Sequence, residues 1–344
     1  MNEKITVYPD TKIYIFCPNN LVTGGPEALH QLRWYMERLG YTAYLVYDFT
    51  GNTVCPPRYE KYAPRVVRAD EVEDDERNVV IVSESQTTTL RHFRNVRRCV
   101  WFLGYVYADY KKSRALIVCK NVVKFALRAC TLGRVAIPYS RFPVRDKEGV
   151  YYLCGSEYAM QKLRARRVAW VKMFVEPISK EFLERGGCMN PAVDGRSDVV
   201  LYNPSKPSRV MKKLLKRGDI AFRPLKGYTP DELIDVYRES KLYVDFGSFG
   251  GPERIPKESV YNGTCLIVAR KNAAVNDFDV AIPERYKIAR YNDVRLVAKT
   301  IKEVLADYDA NIGEFASFRE KIDNLEDNFL AQIREIFQVE HEQS

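Results

Sequence analysis

Residues 241–268 decide the fold. They open on the apolar run Lys241-Leu242-Tyr243-Val244-Asp245, pass through a loop holding Gly247, Gly250 and Gly251, continue as Glu253-Arg254-Ile255-Pro256-Lys257-Glu258, and close on Gly263-Thr264-Cys265-Leu266-Ile267-Val268. Proline near a first turn and glycine past a last one bracket a helix, so the spacing predicts one over 256–262 between two strands. The helix N-terminus then faces the glycine loop. Its free N–H groups and dipole attract an anion, and Arg254 and Lys257 add full positive charges beside it. The Glu258 carboxylate, one turn in, is able to accept hydroxyl hydrogens. Diphosphate at the helix end and a ribose diol on Glu258 is the arrangement this pattern suits.

Upstream, the same alternation repeats: strand 199–202, helix 209–216, strand 219–222, helix 230–238. Tyr202-Asn203-Pro204-Ser205-Lys206 closes the first of these strands, and Arg223-Pro224-Leu225-Lys226-Gly227 follows the next. Open parallel sheets bind ligands at strand carboxyl ends. Lys206 is therefore placed to neutralise a leaving diphosphate, with Asn203 beside it. Arg223 and Leu225 are placed to wall a nucleobase pocket.

The first half reads the same way. A strand at 12–17, a helix at 26–39 and a strand at 42–47 make a β-α-β unit, followed by strands at 79–82, 99–103, 135–137 and 151–153. Between the first strand and helix lies Asn19-Asn20-Leu21-Val22-Thr23-Gly24-Gly25-Pro26-Glu27, where Gly24 and Gly25 permit close approach of a phosphate or sugar. It is not the G-x-G-x-x-G fingerprint, so a dinucleotide cofactor is not indicated. Glu84, Trp101 and Tyr105 close two strands and are candidates for the acceptor side, since aromatic rings suit sugar faces. The stretch 176–197, with Gly186-Gly187, Pro191 and Gly195, has linker composition. The expected division is a first domain at 1–177 and a second at 178–315, with helical residues 316–340 crossing back onto the first.

The chain of 344 residues is long enough for two such domains, and 46% apolar and 29% charged residues are ordinary for a globular protein. No apolar stretch reaches the roughly 20 residues that span a bilayer, and Met1-Asn2-Glu3-Lys4 lacks a signal-peptide core, so a cytoplasmic location is expected. Eight scattered cysteines without C-x-x-C spacing read as reduced, and three histidines offer no zinc pattern. The net charge of +9 is uneven: residues 1–177 hold 28 Lys+Arg against 18 Asp+Glu, and the remainder 26 against 27. Its densest runs are Arg91, Arg94, Arg97, Arg98; Lys111, Lys112, Arg114; and Arg164, Arg166, Arg167. Such patches suit an anionic membrane surface, a lipid-diphosphate acceptor or nucleic acid.

Two D-x-D triplets, Asp277-Phe278-Asp279 and Asp307-Tyr308-Asp309, imitate a metal-diphosphate motif without its context. Asp245-Phe246-Gly247 matches a kinase magnesium triplet only in its letters, because no nucleotide loop, strand lysine or catalytic-loop motif accompanies it. No metal site is expected.

Taken with two Rossmann-like halves, the Gly24-Gly25-Pro26-Glu27 start and the run from Asp245-Phe246-Gly247 to Arg254-Ile255-Pro256-Lys257-Glu258 resemble a GT-B glycosyltransferase of the family-4-like group found in bacterial surface polysaccharide clusters. The resemblance implies an α/β fold of two doubly wound Rossmann-like domains facing across a cleft, the second binding a nucleotide sugar and the first a glycan or lipid-linked saccharide acceptor. It implies retention of anomeric configuration without metal or cofactor, the nucleotide sugar being a substrate. The N-terminal charge adds the expectation of work at the inner face of a membrane. By resemblance Glu258 is the second glutamate of the family's pair, which holds the ribose, and Lys206 lies near its diphosphate lysine. Gly250 stands where the first glutamate belongs. Either Glu253 or the backbone of the Gly250-Gly251 loop takes that contact, and the loop is the preferred reading. Lys206, Arg254 and Glu253 are the expected catalytic group. Two rivals remain: a nucleotide-sugar epimerase or hydrolase of the same architecture, and a basic nucleic-acid-binding protein. No nucleic-acid module is recognisable, so nucleic acid is not expected as a partner.

Overall fold

The computed structural model describes residues 4–18, 21–47, 49, 51–108, 114–130, 149–185, 195–206, 208–251 and 253–340. The expected strand at 135–137, Lys111, Lys112, and the Gly186-Gly187 and Pro191 part of the linker lie outside these residues. The chain divides into two compact units. Unit 1 comprises 1–154, 162–174 and 332–344, and unit 2 comprises 155–161 and 175–331.

Unit 1 is built on strands β1 (Ile5–Val7), β2 (Lys12–Phe16), β3 (Thr42–Val46), β4 (Val79–Ser83), β5 (Arg97–Phe102), β6 (Val150–Cys154) and β7 (Val171–Met173). Six of them form one parallel sheet in the order β3-β2-β4-β5-β6-β7. All five residues of β4 are buried, as are all five of β6, because a parallel sheet is covered on both faces and its inner strands are apolar throughout. The helix Gly24–Arg38 crosses from β2 to β3. It starts earlier than 26, so Gly24 and Gly25 occupy its first turn instead of a preceding loop.

Unit 2 carries β8 (Ser197–Tyr202), β9 (Ala221–Pro224), β10 (Ser240–Asp245), β11 (Cys265–Ala269) and β12 (Lys287–Ile288), all parallel, in the order β9-β8-β10-β11-β12. Both sheets begin at an inner strand, step outward, then return past it. This leaves a topological switch point between β2 and β4 in one unit and between β8 and β10 in the other, the place where doubly wound sheets receive ligands. Arg196, buried just before β8, ties unit 2 together: its guanidinium donates to the carbonyls of Tyr237 (2.8 Å), Ser240 (3.0 Å) and Asn262 (3.0 Å).

The helix expected at 256–262 spans Arg254–Tyr261, and Gly263 stops it with a φ of +90°, a left-handed cap that side chains disfavour. The chain beyond 315 differs from the expected returning helix. Phe318, Ile322 and Leu325 join the apolar core of unit 2, holding residues 316–331 there. The returning residues start at 332, and they end in a strand, β13 (Phe337–Val339), which pairs in parallel with β1 while Tyr41 Oη donates to the Phe337 carbonyl at 2.6 Å.

Candidate functional site

At the unit 2 switch point, β8 and β10 end side by side, and each turns sharply. After β8, the Asn203 side-chain oxygen accepts the Ser205 amide (2.9 Å) and the Asn203 carbonyl accepts that of Lys206 (3.3 Å), which folds Asn203–Lys206 into a tight turn. After β10, buried Asp245 accepts the Gly247 amide (2.8 Å) and the Tyr243 hydroxyl (3.2 Å). Gly247 is glycine for want of room: a Cβ there would lie 2.8 Å from Lys206 Cβ and 2.9 Å from Asp245 Oδ1.

Lys206 joins the two turns. Its Nζ lies 2.6 Å from Glu253 Oε2 and 3.7 Å from Asp245 Oδ2, and 5.6 Å from the centre of the Phe249 ring. The other Glu253 oxygen accepts the Gly250 amide at 3.0 Å, so the glutamate anchors the glycine loop and caps no helix N–H with its side chain. Burial pushes its carboxyl above the usual range, opposed by Lys206 and reinforced by Asp245. Lys271, just past β11, donates to the Phe246 carbonyl (3.1 Å), and burial lowers its pKa. Three adjacent strand ends thus contribute two cations and two carboxylates around one glycine loop. That set suits a ligand with dispersed negative charge, because such a ligand is able to take over the Lys206 ammonium now held by Asp245 and Glu253.

The other expected residues of unit 2 make contacts of their own. Lys257 is buried, its Nζ 3.7 Å from Glu176 Oε1 and 3.4 Å from the Glu176 carbonyl, and burial lowers its pKa. Arg254 Nη1 reaches Ser179 Oγ at 3.4 Å. Glu258 is buried on the same helix, near Lys257 and Tyr237. Gly250 and Gly251 are buried in the loop. On β9, Arg223 is committed to Tyr228 Oη (3.0 Å) and Glu239 Oε2 (3.2 Å), while Leu225 packs against the core. The alternation of the sequence identified the strand end that carries Lys206. It gave no sign of Lys271, whose role depends on where β11 ends.

In unit 1, Glu84 accepts the amides of Leu103 and Gly104, both at 3.0 Å, clamping the ends of β4 and β5 together. Trp101 offers no surface: it is fully buried and its indole nitrogen donates to the Phe174 carbonyl at 2.8 Å. Tyr105 is buried too, and the exposed aromatic of that turn is Tyr107. Gly25 has space around it, since an added Cβ would meet only Leu103 Cδ1 at 3.9 Å. Beneath it lies a buried polar cluster. His30 Nδ1 donates to the Pro26 carbonyl (2.8 Å), its Nε2 accepts from Tyr47 Oη (3.1 Å), and Tyr59 Oη bridges the amide and carbonyl of Thr23 at 3.0 Å each. Burial pushes the His30 imidazole down to about 4.

The charge runs divide into inward and outward members. Arg97 turns inward to the carbonyls of Thr6 and Arg77, and Arg98 donates to the Phe93 carbonyl at 2.6 Å, so half of the first run is structural. Arg164, Arg166 and Arg167 are exposed. Asp279 of the first D-x-D triplet is buried and accepts the amides of Glu157 (2.8 Å) and Tyr158 (2.9 Å), capping the Glu157–Ala165 helix. Its partner Asp277 pairs with buried Lys287 at 2.5 Å. Among the described residues no three His, Cys, Asp or Glu side chains gather in a way that would hold a metal.

Neither a protein-family model nor a curated protein matches the chain. Solved structures do. A glycosyltransferase from Rickettsia africae aligns over 95% of this chain and 98% of its own, at 14% identity and a TM-score of 0.55. Sucrose-phosphate synthase from Thermosynechococcus elongatus aligns over 94% and 97%, at 12% identity and 0.55. T4 phage BGT, solved with UDP and Mn2+, aligns over 95% and 99%, at 10% identity and 0.52. An alpha-glucosyltransferase solved with UDP and a 13-mer DNA aligns over 95% and 95%, at 12% identity and 0.51. At these identities the likeness concerns architecture, and the chain has the mixed α/β fold with parallel sheets of the GT-B glycosyltransferases.

Proposed function

We propose that the chain is a glycosyltransferase that moves a sugar from a nucleoside diphosphate to a glycan or lipid-linked saccharide, with retention and without a resident metal. The observation that carries this reading is the Lys206 ammonium held between Asp245 and Glu253 where β8 and β10 end. The GT-B fold supports it, as does UDP in the T4 phage BGT structure.

In this reading the diphosphate draws Lys206 from Glu253, with the N-terminus of the Arg254–Tyr261 helix adding its dipole. The anomeric carbon–oxygen bond breaks toward the diphosphate and charge builds on the leaving oxygen. The acceptor hydroxyl attacks from the same face, its oxygen bonds to the anomeric carbon, and its proton passes to a phosphate oxygen. Glu253 and the Gly250 amide together supply the sugar contact of the missing first glutamate. Glu258 serves the ribose. Prepositioned donors of this kind are worth about 3–4 kcal/mol of barrier each.

A second reading changes only the acceptor. The positive excess of residues 1–177 and the DNA-bound alpha-glucosyltransferase favour a nucleic-acid base as receiver. Incubation with a UDP-sugar and each acceptor class decides: free UDP with a lengthened glycan supports the first reading and glucosylated oligonucleotide the second. Altered sugar stereochemistry with no transfer means an epimerase, and contradicts both.

A further inference from the structure

The glycine loop after β10 is fastened on two flanks. Toward β8 the tie runs through Lys206, Glu253 and the Gly250 amide. Toward β11 the loop is held by three consecutive residues: Lys271 Nζ donates to the Phe246 carbonyl (3.1 Å), Asn272 Nδ2 to Ser248 Oγ (3.3 Å), and the Ala273 amide to the Phe249 carbonyl (3.3 Å). The backbone at the middle of the three is unusual. Asn272 has a φ of +51°, a left-handed value that asparagine tolerates better than most side chains and that costs energy all the same. Its side-chain amide is committed at both atoms, because Oδ1 accepts the Tyr158 hydroxyl at 3.2 Å. The Lys271 ammonium rests 4.9 Å from the centre of the Tyr291 ring. A strained residue persists where its surroundings over-determine it, and such residues gather where a site has to be held in shape.

The two flanks answer differently to a charged ligand. The β8 tie is a salt bridge, and an anion that binds the Lys206 ammonium draws it from Glu253. On the β11 flank, the bonds made by Asn272 and Ala273 join uncharged groups, for which an anion competes weakly. Phe246, Phe249 and Ala273 are buried besides. The loop therefore keeps its hold on β11 when its hold on β8 is given up. Without the β11 bonds, nothing in this pair of ties would fix the Gly250 amide and Glu253 against the strand ends once Lys206 had turned to a ligand.

We propose that Lys271 and Asn272 are positioning residues, a brace that keeps the Gly247–Gly251 loop in place while a bound diphosphate holds Lys206 away from Glu253. The proposal rests on the glycosyltransferase reading only in naming the diphosphate as the ligand that draws Lys206 off.

Hydrogen exchange of the loop amides, Gly247 and Gly250 included, is followed by mass spectrometry in the full-length protein without nucleotide. The Lys206→Ala change stands in for ligand by removing the β8 tie. It is combined with the double variant Lys271→Met, Asn272→Gly, in which glycine accepts the positive φ without the side-chain amide and methionine keeps the stem of the lysine. Either change alone should speed loop exchange by about threefold or less, because the other flank still holds. Together they should speed it by about thirtyfold or more, beyond the product of the separate effects. The conservative pair Lys271→Arg, Asn272→Asp, able to bond the Phe246 carbonyl and the Ser248 hydroxyl, should restore slow exchange on the Lys206→Ala background. Effects that simply multiply overturn the proposal, as does a double variant that loosens the loop equally with Lys206 present, or that fails to fold with Lys206 intact. In transfer from a UDP-sugar, the double variant should lower kcat by about tenfold and leave the donor KM within about threefold. A KM raised by about tenfold at unchanged kcat would make Lys271 a ligand of the diphosphate and overturn the positioning role. The exchange measurements need no nucleotide, so an absence of transfer in the wild type would end the glycosyltransferase reading and leave the brace standing.

Discussion

The Lys206 ammonium lies 2.6 Å from the carboxylate of Glu253, and that same carboxylate holds the Gly250 amide at 3.0 Å. A residue after β8 is thereby fastened to the glycine loop after β10, across the switch point of the unit 2 sheet. The pair is structural, and in the proposed reading its ammonium end is the group that meets the donor diphosphate. Removing one end leaves the other carrying uncompensated charge in a largely covered place.

Lys206→Ala should lower donor hydrolysis or transfer by tenfold or more, in line with about 3–4 kcal/mol for one leaving-group donor. Lys206→Arg should recover part of it, as a cation of other shape. Steady-state rates at saturating donor check this, and an unchanged rate in the alanine variant excludes Lys206 from leaving-group stabilisation.

Gly247→Ala adds a methyl where Lys206 Cβ and Asp245 Oδ1 leave 2.8 and 2.9 Å. The two turns must part, at a cost of about 1–3 kcal/mol. Chemical denaturation should register that loss, together with weakened donor binding. A variant as stable as wild type and equally avid for donor would mean that the turns separate freely.

His30 makes unit 1 acid-sensitive. Its folded pKa of about 4 lies below the ordinary imidazole value of 6.5, so the unfolded chain binds the proton more tightly. The neutral imidazole's contribution is complete above about 6.5 and falls as pH drops toward 4, and the loss amounts to about 3 kcal/mol once both states are protonated. His30→Phe should therefore show a smaller loss of stability between pH 7 and pH 4 than wild type. Parallel pH profiles for the two proteins would contradict this.

Asp279→Ala should destabilise the protein by about 1–2 kcal/mol, because it strips the cap from two helix amides. The loss should appear in metal-free buffer. Were Asp279 a metal ligand instead, the variant would match wild type there and differ only when metal is added.

Much of this arrangement was legible because parallel strands buried on both faces are apolar throughout, as at Val79–Ser83 and Cys265–Ala269. Glycine and proline marked where the Arg254–Tyr261 helix begins and ends to within two residues. Direction was not legible. Periodicity locates Lys257 on a first turn, yet it does not tell that Glu176 draws the side chain inward, or that Trp101 spends its polar atom on Phe174. Long-range partners decide such cases, and they are set by packing of segments far apart in sequence. Arg97 and Arg98 teach the same lesson, since a run of like charges reads as a surface until two of its members are found holding backbone carbonyls. The helix Arg114–Cys130 leaves Val122 and Phe125 exposed, and its apolar spacing, that of any amphipathic helix, does not tell which side faces out.

The most direct test of the central claim is a thermal-denaturation titration of wild type and Lys206→Ala with UDP-, GDP-, ADP- and TDP-sugars. The wild-type protein should be stabilised by one nucleotide class, by about 2.7 kcal/mol at a hundred times the dissociation constant, and Lys206→Ala should lose most of that gain. If no sugar nucleotide moves the transition of the folded wild-type protein, or if Lys206→Ala responds as fully as wild type, the strand ends at Lys206 and Asp245 are not a donor diphosphate site.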